Sequence, residues 1–160
     1  MKEIEITSRL VVYDGTDELP ETVRELMQKA VEVRKKAYAP YSRFRVGAAL
    51  LLDNGEVVIG SNQENASYPS GLCAERVAVF QAGARFPDAA IRIIAISAAS
   101  DQRTVLTPVP PCGACRQSLA EYEVRQESPV ELYFMGETGK VVKAPSVGDL
   151  LPLLFDKESL

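Results

Sequence analysis

Cys73-Ala74-Glu75-Arg76, running on into Val77-Ala78-Val79-Phe80, and the later Pro111-Cys112-Gly113-Ala114-Cys115-Arg116 decide how the rest of the chain is read. Between them they hold all three cysteines of a sequence that contains no histidine. A metal site here must be built from thiolates and carboxylates, and a general base must be something other than imidazole. Three cysteines cannot pair off among themselves, so the odd count leaves either a reactive thiol or a ligand set. The opening residues, Met1 to Ile6, alternate charge with bulk and carry no apolar secretory core. The expected location is therefore the reducing cytoplasm, where neighbouring thiols more often bind metal than form disulfides.

Zinc suits three thiolates, and three protein ligands leave the fourth tetrahedral position to water, the arrangement of a catalytic site. Cys112-Gly-Ala-Cys115 is a C-x-x-C turn whose two sulfurs converge on one ion, and Pro110-Pro111 fixes the approach of the backbone. Cys73 and Cys112 each stand where a helical pattern begins. The helix dipole and free N–H groups there favour thiolate over thiol. Arg76 and Arg116, each close to a ligand cysteine, are expected to hydrogen-bond the sulfurs and offset their negative charge. Glu75 is placed to carry the proton of a zinc-activated water. Two plainer readings stand beside these. A closed zinc staple needs a fourth ligand, which only an aspartate or glutamate can supply here, and Glu75 alone reads as a first-turn glutamate favoured by the dipole.

At 160 residues the chain is expected to form one domain, 20–160, preceded by an extension over residues 1–19. Its composition, 46% hydrophobic and 25% charged, is that of a globular protein. The longest apolar run, Val46 to Leu52, is too short to cross a bilayer, so no membrane partner is expected. A net charge of −4 with dispersed Lys and Arg disfavours nucleic acid as a partner.

Residues 1–19 alternate loosely and end in Asp14-Gly-Thr-Asp17, which reads as a strand or arm and a turn. From Pro20, the residues Val23, Leu26, Met27, Ala30, Val33 and Ala37 share one helical face. A near-continuous apolar strand through Leu52, the Asn54-Gly55 hairpin signal and a returning strand Val57–Ser61 follow. Asn62 and Glu64 sit on the polar loop after it, where an amide and a carboxylate bind a hydroxyl and the carboxylate repels a phosphate. Further strands are expected near 92–99, 130–135 and 140–142, and a short leucine-rich helix over Val147–Leu154. This order, α-β-β-α-β-α-β-β-α with an optional first strand, implies an α/β domain of three layers, α/β/α, around a mixed five-stranded sheet.

Cys-Ala-Glu-Arg followed by Pro-Cys-Gly-Ala-Cys-Arg-Gln, with Asn-x-Glu-Asn-Ala at 62–66, resembles the zinc-dependent cytidine deaminases of the small homotetrameric, three-cysteine type. The resemblance spans about residues 23–155. It implies hydrolytic deamination of cytidine and 2′-deoxycytidine to the uridines in pyrimidine salvage, with one Zn2+ per subunit held by Cys73, Cys112 and Cys115. A zinc-bound hydroxide would attack C4, with Glu75 as proton carrier. The partner is then a small-molecule nucleoside. By position, Asn62 and Glu64 bind the ribose 3′-hydroxyl, Phe44 packs on the pyrimidine and the Ala74 N–H meets its O2. Phe155 reaches the active site of a neighbouring subunit and Tyr68 lies near a subunit contact, so the sites are completed by neighbours in a homotetramer. From the bare sequence Phe44 is equally a core residue and the tail equally a docking helix. Gln63 departs from the apolar residue expected there. The same chemistry on a related aminopyrimidine nucleoside, or a zinc-stapled binding protein without turnover, are the competing readings.

Overall fold

The computed structural model describes residues 1–160. After strand β1 (Val11–Tyr13) come helix α1 (Glu21–Arg34), the hairpin β2 (Phe44–Leu52) and β3 (Val57–Ser61), helix α2 (Ala74–Arg85), β4 (Ile91–Ser100), helix α3 (Gly113–Gln126), β5 (Glu131–Met135) and β6 (Val141–Ala144). All six strands form one mixed sheet in the order β1-β6-β5-β4-β2-β3. Only β4 and β5 run parallel, joined through α3; every other pair is antiparallel.

The sheet has six strands where the sequence suggested five. Val11, Val12 and Tyr13 of the extension pair with Lys143, Val142 and Val141. Without them β6 would present an open row of backbone donors and acceptors, which a short added strand satisfies. Tyr13 also stacks near Tyr133, with ring centroids 6.3 Å apart.

Burial on both faces explains the apolar run of β2. Ala48, Leu50 and Leu52 join a core with Ala78, Val79 and Leu119 from α2 and α3. Ala49, from the alternate side of the pleat, joins Leu26, Met27 and Ala30 of α1. Two glycines let the helices come this close. A Cβ on Gly47 would lie 2.6 Å from the Arg34 nitrogen of α1, and one on Gly60 would lie 2.6 Å from both the Ala74 oxygen and the Ala78 nitrogen of α2. Gly60 thus lets β3 hold the first turn of α2 against the sheet, which sets the height of Cys73 and Glu75.

Past β6 the expected helix over Val147–Leu154 does not form. A single 3-10 turn, Gly148–Leu150, is followed by irregular chain. Pro152 is the cause: the residue before a proline is pushed out of the helical region, and Leu151 is extended at φ −140° and ψ 71°.

Candidate active site

Cys73 is the N-cap of α2 and Cys112 the N-cap of α3, both with extended backbone and neither using its side chain to cap the helix. Both sulfurs are therefore free to turn towards each other, and they lie 3.9 Å apart. Cys115, in the first turn of α3, is fully buried and completes the trio, with all three sulfurs within 4.8 Å of one another. None is in a disulfide. Zinc–sulfur bonds of about 2.3 Å in a tetrahedron require sulfurs about 3.8 Å apart, so the donor type and spacing fit zinc. No carboxylate joins the cluster, which leaves three protein donors and an open fourth position.

Two helix N-termini point at this spot, and their partial positive charge favours thiolate. The Cys73 thiol is lowered to about 5, chiefly because the Cys115 thiol donates to it, with Arg76 and Cys112 helping against its desolvation. Cys115 is pushed up in turn, as that donor and by burial. Arg76 aims Nη2 at the Cys73 sulfur at 3.9 Å, while its buried Nε has no partner within the chain. Arg116 does not meet the sulfurs as the sequence suggested. Its Nε donates to the Pro111 carbonyl and its Nη1 to the Leu150 carbonyl, both at 2.8 Å.

Glu75 is only 4% exposed. Burial raises its carboxyl above the ordinary carboxylate range, and the nearby Cys73 charge adds to this. A buried acid with raised proton affinity, two residues from a metal-ligand candidate, is suited to taking and giving protons.

Beside the sulfurs lies a cleft of about 440 Å³ lined by Tyr41, Ser42, Asn62, Glu64, Tyr68 and Arg76 among others, with Cys73 at its wall. Backbone bridges from Gln63 to Tyr38 and Leu72 fold its loop back on itself. Gln63, out of place by sequence, satisfies its amide on the Ser61 carbonyl and hydroxyl. Asn62 accepts from the Val46 N–H at 2.7 Å and donates to the Phe44 carbonyl at 2.9 Å, keeping one amide hydrogen over. Glu64 accepts from the Tyr41 and Ser42 N–H groups and from the Ser42 hydroxyl. Those bonds outweigh its desolvation and hold its carboxyl below the usual range.

Tyr41 and Ser42 were missed by sequence reasoning, and the only signal for them was the turn at Pro40. Ala74 is fully buried in the first turn of α2. Phe44 is half-buried at the head of β2 and is not among the residues lining the cleft. Phe155 stands outside it too, exposed on the surface, and Tyr68 is exposed at its rim, 6.0 Å from the Tyr41 ring.

Three sulfur donors with one position open, beside a buried acid, are the equipment of a hydrolytic zinc enzyme. The family model described as the cytidine and deoxycytidylate deaminase zinc-binding region matches residues 20–128. Cytidine deaminase of Halalkalibacterium halodurans is 40% identical over 84% of this chain and 95% of its own. That of Sporosarcina psychrophila is 38% identical over 86% and 94%. Among solved structures, cytidine deaminase from Burkholderia pseudomallei superposes with a TM-score of 0.71 at 38% identity, covering 86% of this chain and all of that one. The chain belongs to the zinc-dependent cytidine and deoxycytidylate deaminase family.

Proposed function

We propose that this enzyme hydrolyses cytidine and 2′-deoxycytidine to the corresponding uridines and ammonia. The reading rests on one observation above all: Glu75, 4% exposed, stands in the same helical turn that presents Cys73 to the sulfur cluster. Cys73, Cys112 and Cys115 would hold the zinc, which would supply the Lewis acidity that makes water a nucleophile. Glu75 takes the proton of the attacking water and passes it to N3 of the pyrimidine. Oxygen joins C4 as hydroxyl; its remaining proton passes through Glu75 to the amine, the C4–N bond breaks as the C4 carbonyl forms, and the amine leaves as ammonia. Arg76 tempers the charge of the sulfurs by its contact to Cys73.

The cleft holds the sugar and base. Asn62, with its remaining amide hydrogen, and Glu64, kept ionised by the 41–42 turn, bind the ribose 3′-hydroxyl. An ionised carboxylate there repels a 3′-phosphate, which favours a free nucleoside over a residue within a strand. Phe44 packs on the pyrimidine after rearrangement of its ring towards the cleft, and the Ala74 N–H meets O2. Phe155, exposed in the single chain, closes the base pocket of a neighbouring subunit near Tyr68, and the working form is a homotetramer. Residues 20–160 constitute the catalytic domain, a three-layer α/β/α unit, and 1–19 an extension that adds an edge strand.

Glu75→Gln tests the assignment. The variant keeps the volume and the zinc but loses turnover of cytidine by roughly 10²- to 10⁴-fold. Near-normal turnover in a zinc-loaded Glu75→Gln protein would remove Glu75 from the mechanism.

A further inference from the structure

Residues 145–160 contain no helix or strand, only two isolated 3-10 turns, yet they carry Phe155. Apolar packing reaches as far as Leu154, which with Leu150 and Leu151 lies against the main core. Leu153 and Phe155 on either side of Leu154 turn outward, 87% and 60% exposed. What fixes the segment is a row of polar side chains on α3. Glu123 accepts from the Val147 N–H at 2.9 Å, the Gly148 N–H and the Ser146 hydroxyl. Arg116 donates to the Leu150 carbonyl at 2.8 Å. Gln117 donates from Nε2 to the Phe155 carbonyl, also at 2.8 Å. Beyond Leu151 every other hydrogen bond of the tail is made within the tail itself, as between Asp156 and Glu158. The Gln117 bond is therefore the single polar tie between the last nine residues and the body of the enzyme.

We propose that Gln117 is a positioning residue for substrate binding: by holding the Phe155 carbonyl it sets the direction in which the aromatic ring leaves the subunit. The proposal rests on the reading that Phe155 closes a neighbour's base pocket. Gln117 follows Cys115 by two residues on α3, so the helix that presents two of the sulfurs also aims the ring. A carbonyl contact is suited to this, because it fixes the backbone at Phe155 while leaving the side chain free to reach across.

The test is steady-state kinetics on cytidine with Gln117→Glu, Gln117→Lys, Phe155→Ala and the Gln117→Glu/Phe155→Ala double variant, each checked for zinc content. Glutamate matches the shape of glutamine but cannot donate; lysine restores a donor. Loss of one hydrogen bond corresponds to about a three- to tenfold change. Gln117→Glu is expected to raise KM by about that factor with kcat within about twofold and zinc intact. Gln117→Lys returns KM towards wild type, and Gln117→Glu adds nothing in the Phe155→Ala background. If Phe155→Ala raises KM while Gln117→Glu does not, the positioning role is overturned and the Phe155 reading survives. If Phe155→Ala leaves KM unchanged, both fall. A Gln117→Glu protein that loses zinc or kcat instead assigns Gln117 to the metal helix and also overturns the proposal.

Discussion

At the residue scale, Glu75→Gln is expected to lose cytidine turnover because it removes the proton carrier proposed beside the sulfur cluster. The three cysteines were legible as single residues because the chain has no histidine and no other thiols, whereas Glu75 is one of 22 acidic residues and stood out by its place two residues from Cys73. The two arginines show where residue-level reading stops. Both lie close in sequence to a ligand cysteine, yet only Arg76 reaches a sulfur. Arg76 is three residues from Cys73, so the two share one side of α2. Arg116 directly follows Cys115 and is rotated about 100° around α3, away from the sulfurs and towards the Pro111 and Leu150 carbonyls. Adjacency in sequence was the wrong measure; helical phase was the right one. Phe44 posed a different difficulty, since its place at the head of β2 is visible in the sequence but the direction of its ring is not.

The elements were read from alternation and helical spacing; the β2–β3 hairpin and the starts of α1 and α2 follow their signals closely, while α1 stops at Arg34, short of Ala37 on its expected face. Asn54-Gly55 turns with Gly55 at φ +85°, as that pair requires. Two elements departed. The leucine-rich tail has the apolar content of a helix, but Pro152 interrupts it. The extension reads ambiguously because a three-residue strand carries almost no periodic signal, and only the open edge of β6 decides its fate. Truncation separates its parts. Residues 1–10 are exposed and lie outside the paired strand, so removing them leaves cytidine turnover and melting temperature essentially unchanged. Removing 1–13 also strips β1 and the Tyr13–Tyr133 contact. A loss of about 1–2 kcal/mol lowers the melting temperature by roughly 3–6 °C with kcat unaffected. An unchanged melting temperature after the longer cut would show that β1 does not stabilise the sheet in solution.

At the scale of the molecule, Tyr68 at the rim of the cleft and Phe155 outside it are both exposed in the single chain. The proposed homotetramer predicts that sedimentation of the purified protein gives a mass about four times the 17.5 kDa of one chain. A stable, fully active monomer would contradict completion of the site by a neighbour. Whether or not the subunits share residues, the account depends on zinc in the sulfur cluster driving hydrolysis of a cytosine nucleoside. The direct measurement is the fall in ultraviolet absorbance of cytidine on mixing with purified protein, before zinc is stripped by a chelator, after stripping, and after zinc is restored. Turnover that disappears with the metal and returns with one zinc per chain is the predicted result. No turnover by the zinc-loaded protein, or turnover that persists after the zinc is gone, would contradict it.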